Sequence, residues 1–339
     1  MISAHSAHRV PVVKLALALV LLSLLEFGFW LATHHEAQRM QDLIDASQGV
    51  LQGTPHWRAY QNRLLGPALV DALRVLTAYP LHLYVLLMLG VANTALLLAL
   101  RRLSPGEPPA SRLTWKVMAI SAVVWVLGKH RWSYPWDFLE SLLLLAMAYL
   151  AFTKPERIGA FVLLFAVAIL SRESALFIPV FMVLYTVVSR RPLLGRPVLC
   201  AIVLVVLGTA FVQLTRSLLF VHSMSPGVGD DLAHASFGNH WQLAANGELL
   251  IRFVTKGKGA VPLVLMAALL SFYSWAAVRL WRLRELGAFS FALTMVAYLL
   301  ALIPFAVLTE TRIYQPMAWC TGLTFAFLRI RPGQGAQPS

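Results

Sequence analysis

Four short segments of this chain mix acids, bases and aromatic rings in an otherwise apolar sequence. They are His34-His35-Glu36-Ala37-Gln38-Arg39, the run from Lys129 to Glu140, Ser171-Arg172-Glu173-Ser174, and the run from Thr309 to Pro316. The second reads Lys129-His130-Arg131-Trp132-Ser133-Tyr134-Pro135-Trp136-Asp137-Phe138-Leu139-Glu140, and the fourth carries Glu310-x-Arg312. Carboxylates beside guanidiniums either pair structurally or hold anions and move protons in a site. Asp137 follows Pro135 and precedes an apolar run, which suits a helix cap as well as it suits catalysis. His34, His35 and Glu36 have metal-ligand chemistry, but adjacent histidines do not share a helix face, so surface histidines are the better reading. Trp30, Trp57, Trp132 and Trp136 fit an interfacial aromatic belt. Glu26 lies inside the first apolar run and reads as a packing residue, an arginine partner or a relay, with the structural options favoured. No GxSxG, HExxH, Walker A loop or dinucleotide fingerprint occurs in its required context.

The elements that must position these segments are membrane spans. Of 339 residues 59% are hydrophobic and 13% charged, with mean hydropathy +0.71. Soluble domains average about 45–50% apolar and about 25% charged. A soluble enzyme, a disordered chain and a disulfide scaffold are therefore excluded. Crossing a bilayer takes roughly 20 apolar residues. Candidate spans cover about 12–32, 81–100, 115–128, 138–152, 158–170, 175–188, 197–214, 260–278, 288–308 and 315–328. The expectation is an all-α polytopic membrane protein of about ten spans with both termini inside. It forms a single transmembrane domain over 1–330, with a disordered cytoplasmic tail at 331–339.

Loop charge tests that orientation. The proposed inner side carries sixteen bases and three acids, while the remaining twelve of each sign cancel, so the formal net charge of +13 sits on one face. Short basic inner loops produce this asymmetry, and no nucleic-acid partner is implied. Cys200 and Cys320 fall in apolar stretches without CxxC spacing and read as packing residues. All four mixed-sign segments then face outward. Two outer loops, about 33–80 and 215–259, are long enough to hold structure. Several spans are short: 158–170 has 13 residues, or about 20 Å of helix against a core of roughly 30 Å. Arg172, Glu173, Arg312 and Lys129 are thereby recessed, and recessed charges pair or line a water-filled cavity. An outward-facing polar cavity is expected, with Arg172, Glu173, Glu310 and Arg312 close together on its wall.

The run Tyr60-Gln61-Asn62-Arg63-Leu64-Leu65-Gly66-Pro67 joins these motifs in one order along the chain. With Tyr134-Pro135-Trp136-Asp137, Ser171-Arg172-Glu173-Ser174 and Glu310-x-Arg312, it resembles a largely uncharacterised bacterial branch of the GT-C-like polytopic glycosyltransferases. The similarity spans about 11–330 and rests on motif order and sidedness. The resemblance implies transfer of a sugar from a polyprenyl-phosphate carrier to a hydroxyl acceptor, on the outer face of a bacterial inner membrane. It implies cations for the carrier phosphate, for which Arg63, Lys129, Arg131, Arg172 and Arg312 are candidates. It also implies a carboxylate base, for which Asp137 ranks first by its rigid turn and Glu36 second by family position. His130, Tyr134, Trp136, Glu173 and Glu310 would support the cavity, with Tyr134 or Trp136 offering a flat surface to a sugar ring. Members usually carry an acidic residue, often a pair, in the first outer loop soon after the first span, whereas this chain offers Glu36, with Asp42 and Asp45 farther on and no adjacent pair.

The partners implied are membrane lipid, the lipid-linked donor, and a glycan, lipid or protein acceptor. No protein metal site is expected, and a divalent metal ion is the one cofactor left open. Three other functions compete: a polymerase or ligase using a diphosphate-linked oligosaccharide, a lipid or sugar transporter, and a non-catalytic assembly subunit. The concentration of polar segments on one face disfavours transport, which needs midplane sites open to both sides in turn.

Overall fold

A computed structural model describes residues 9–34, 37–53, 63–105, 111–128, 133–193, 195–218, 242–256, 260–306, 308 and 310–330. Among these the secondary structure is helical, without strands. In chain order the α-helices are α1 (Arg9–Thr33), α2 (Ala37–Leu51), α3 (Leu65–Ala72), α4 (Pro80–Leu103), α5 (Arg112–Gly128), α6 (Pro135–Thr153) and α7 (Ile158–Ile169). Then follow α8 (Phe177–Val188), α9 (Arg196–Leu218), α10 (Leu243–Lys256), α11 (Ala260–Arg282), α12 (Leu286–Phe305) and α13 (Ala318–Ile330).

Six of these helices, α1, α4, α6, α9, α11 and α12, are long and apolar enough to cross a membrane. Their packing is inverted relative to a soluble protein. On α1, Val13, Leu17, Leu24 and Leu25 are exposed, and on α9 so are Leu199, Ile202, Val206 and Leu207. Continuous apolar faces of this kind are stable only against lipid. The other four sequence spans fall on shorter apolar helices, α5, α7, α8 and α13, of 17, 12, 12 and 13 residues. At 1.5 Å per residue these reach about 18–26 Å. Within the first long loop lie α2, α3 and a 3-10 turn (Leu73–Val75), and α10 lies within the second.

Two expectations about surface residues are corrected. Trp30 and Trp136 are fully buried in the interior, not ranged along the lipid interface, while Trp57 and Trp132 lie outside the described residues. His34 is also buried: its ring stacks on Trp30 at 4.7 Å, and Nδ1 lies 2.8 Å from the Trp30 carbonyl. The i, i+4 geometry of the last turn of α1 folds the imidazole back onto the helix.

α13 is the most enclosed helix and packs on α4, α5 and α6. A buried polar chain ties it to α1 and α4. Asn93 donates to Ser23 Oγ at 3.1 Å and to Glu26 Oε2 at 2.8 Å, and accepts from Trp319 Nε1 at 2.9 Å. Glu26 is thus an inter-helix partner for an amide, not for an arginine. Close crossings rest on glycine. A Cβ at Gly287 would collide with the Ala151 carbonyl and lie 2.9 Å from the Pro155 ring. A backbone carbonyl cannot rotate away, so Gly287→Ala should lower stability by about 1–3 kcal/mol. Thermal unfolding in detergent checks this.

Candidate functional site

The start of α6 is the frame of the site. Pro135 occupies the first turn, where a missing N–H costs nothing. Asp137, two residues on, turns back so that Oδ2 accepts the Tyr134 backbone N–H at 2.9 Å. Tyr84 on α4 donates its hydroxyl to the Pro135 carbonyl at 2.9 Å. From the other side α3 lies on the turn: a Cβ at Gly66 would sit 2.9 Å from Trp136 N. The Leu65 N–H bonds the Leu170 carbonyl at 2.9 Å, tying α3 to the end of α7. Arg63, just before α3, is thereby placed over the Trp136 ring at 5.3 Å.

Two further loops bring their arginines to the same place. After α7, Arg172 adopts extended backbone, φ −168° and ψ 154°, and its Nη1 reaches Asp137 Oδ1 at 3.2 Å and Glu140 Oε2 at 2.5 Å. Asp137 and Glu140 are i, i+3 on α6 and so share a face. Glu140 Oε1 in turn accepts the Tyr298 hydroxyl from α12 at 3.4 Å. Before α13, Arg312 sits in a 3-10 turn (Thr311–Ile313) with Nε and Nη2 on Glu310 Oε2 at 2.8 and 2.6 Å. Its Nη1 stands 3.8 Å from Asp137 Oδ2. Asp137 is therefore not the N-cap of a helix beginning after it but the third residue of α6, closing the first turn onto the N-cap Tyr134, and it is a counter-ion as well, with Arg172 and Arg312 on its two oxygens.

The aromatic pair is part of this framework. Tyr134 and Trp136 stack at 4.7 Å and 11°, with Arg312 4.8 Å from the Tyr134 ring. Both residues are buried, so neither ring offers an open platform to a sugar. Each is covered by a guanidinium, a favourable cation–π arrangement when desolvated.

Four carboxylates meet these cations, and accessibility separates them. The side chains of Asp137 and Glu140 are 0% and 3% exposed, against 28% for Glu173 and 29% for Glu310. Glu173 Oε2 lies 3.9 Å from Arg63 Nη2. Burial pushes the Arg63 pKa below its ordinary value, Arg172 and Arg312 push it the same way, and Glu173 and Asp137 oppose them. Burial also lowers that of Arg172, but the surrounding negative charge, Glu140 foremost, raises it overall. A guanidinium disfavoured by neighbouring cations gains from any anion that approaches it.

Beside the cluster opens a cavity of about 290 Å³. Arg63, Arg172, Glu173 and Ser174 line one part of it, and Leu176, Phe177, Val212, Leu302 and Phe305 another. The same helix pair, α8 and α9, carries a wholly apolar groove farther along. That groove of about 350 Å³ lies between Pro179, Val183 and Leu184 on one helix and Ala201, Ile202 and Val205 on the other.

Of the residues singled out in the sequence, Arg63, Tyr134, Trp136, Asp137, Arg172, Glu173, Glu310 and Arg312 come together in this cluster, but only Arg63, Arg172 and Glu173 line the cavity; Glu310 and Arg312, expected on its wall, do not. Glu36, Lys129, His130 and Arg131 lie outside the described residues. Glu140 and Tyr298 belong to the cluster and were not anticipated as site residues. The i, i+3 spacing of Asp137 and Glu140 was a usable signal for Glu140, whereas nothing in α12 marks Tyr298. Among the described residues no three His, Cys, Asp or Glu side chains gather as metal ligands. No family model, curated protein or solved structure matches the chain.

Proposed function

We propose that this chain is an integral membrane glycosyltransferase that moves a sugar from a polyprenyl-phosphate carrier to a hydroxyl acceptor. In this reading the ten-span, N-in arrangement holds and the arginine cluster faces outward from a bacterial inner membrane. The observation that carries it is the cavity itself, whose lining joins guanidiniums to apolar side chains; a separate apolar groove lies farther along α8 and α9. A prenyl phosphate has two matching parts, a charged head and a long apolar chain. The acceptor oxygen attacks the anomeric carbon, the bond from that carbon to the phosphate oxygen breaks, and the phosphate leaves with the electron pair. Arg63 and Arg172 receive that charge as charge-assisted hydrogen bonds. The acceptor proton passes to a carboxylate, and exposure favours Glu173 over Asp137. Asp137 and Glu140 then act as positioning residues that fix Arg172. Glu36, Lys129 and Arg131 complete the candidate set.

Purified protein supplied with radiolabelled polyprenyl-phosphate sugar and an acceptor pool should release polyprenyl phosphate. Arg172→Lys, which keeps the charge but loses the planar fork, should lower that release by at least about tenfold. Movement of intact carrier across vesicles without bond cleavage would support a transporter instead. Topology has its own test. With Cys200 and Cys320 replaced, single cysteines at Gly106 and Gly195 should resist an impermeant thiol reagent added outside. Those at Ser225 and Gly238 should react, and the reverse pattern would overturn the outward site.

A further inference from the structure

At the far ends of α8 and α12 from the arginine cluster lies a second cavity, of about 640 Å³. Its lining includes Ser189, Arg190, Trp281, Arg282, Arg284 and Leu286. Two helices end there in the same way. At the end of α8 the Arg191 N–H bonds the Thr186 carbonyl and the Arg190 N–H that of Val187, both at 3.0 Å. At the end of α11 the Glu285 N–H bonds the Leu280 carbonyl at 3.1 Å and the Arg284 N–H that of Trp281 at 3.0 Å. Both are Schellman turns, whose closing residue takes a left-handed conformation that glycine fills best. Here the closing residues are Arg190, φ 53°, and Arg284, φ 59°, the two non-glycine residues of positive φ among those described.

Basic residues near a helix C-terminus are favoured by the helix dipole, and inner loops favour them too. Neither effect asks for a left-handed arginine, because any position in the last turn would serve, as Arg279 and Arg282 do on α11. Placing arginine twice at a glycine position, both facing one cavity, points to what the cavity holds. No acid lines it. Trp281 is 54% exposed at the rim, with Leu286 as apolar wall.

We infer that this cavity binds the phosphodiester headgroup of an anionic phospholipid. The guanidiniums of Arg190, Arg282 and Arg284 surround the phosphate oxygens, and the Trp281 indole lies at the glycerol level. Basic pockets between spanning helices are suited to such headgroups. The site is independent of the transferase reading, since it shares no residue with the arginine cluster.

The test uses the full chain purified in a neutral detergent, with bound lipid counted by native mass spectrometry. Phosphatidylglycerol should be retained at least about tenfold better than phosphatidylcholine. Arg190→Gly/Arg284→Gly should lose most of that preference, about fivefold for each arginine, while thermal stability in phosphatidylcholine stays equal or rises because glycine relieves the left-handed turns. Arg282→Gln, which leaves both turns untouched, should weaken retention about fivefold. Unchanged preference in the double variant would overturn the inference. So would displacement of the lipid by millimolar inorganic phosphate, which would mark the site as one for a free anion. A fall in stability in the double variant would remove the argument from backbone conformation and with it the assignment.

Discussion

Glu173→Gln should fold as the wild type does and transfer sugar about 10²–10⁴-fold more slowly, the range a positioned general base typically contributes. Removing its charge weakens a long contact, 3.9 Å to Arg63, on a side chain already 28% exposed, where an ion pair contributes less than in the interior. What changes is the ability to take a proton at the cavity wall. Carrier binding should change little, because Arg63 and Arg172 remain. The decisive measurement is single-turnover transfer at saturating carrier, with carrier binding measured separately. Full activity would remove Glu173 from the mechanism. A comparable loss in Glu36→Gln with Glu173→Gln unaffected would transfer the role to the first outer loop, where the family resemblance places an acid.

The sequence made the helical membrane character and the meeting of the recessed loops legible, for a physical reason. Hydropathy over about 20 residues is a strong one-dimensional signal, and a short apolar run followed by Arg172-Glu173 or Glu310-x-Arg312 leaves charges that must find partners or water. The pairing itself was not legible. Arg172 meets Glu140 across 32 residues and Asp137 across 35, which depends on where α7 lies against α6. Trp136 read as part of an interfacial belt because aromatic residues near a span end usually serve that way, and Tyr134 or Trp136 read as a sugar platform. Their burial follows instead from α3 lying on the turn at Gly66, a contact between residues 70 positions apart with no local signature. Tyr298 was invisible for the same reason: a lone tyrosine inside an apolar span shows no partner until Glu140 is placed beside it.

Asp137→Asn distinguishes a positioning role from a catalytic one, and the expected result is a loss of stability. The amide oxygen can still accept the Tyr134 N–H from its place in the first turn of α6. What disappears is the negative charge between Arg172 at 3.2 Å and Arg312 at 3.8 Å. Removing one partner of a buried ion pair costs about 3–5 kcal/mol, because the remaining charge stays buried without compensation. Here Arg172 keeps Glu140 and Arg312 keeps Glu310, which puts the expected loss at the lower end of that range. Asp137→Ala also loses the hydrogen bond from the Tyr134 N–H and should cost about 1 kcal/mol more. Both variants should show activity loss that tracks the folded fraction, together with weaker carrier binding as Arg172 loosens. Asp137→Asn protein that is as stable as the wild type, binds carrier normally and fails to transfer would show the opposite. It would make Asp137 the proton acceptor despite its burial, and Glu173 a residue of the cavity wall alone.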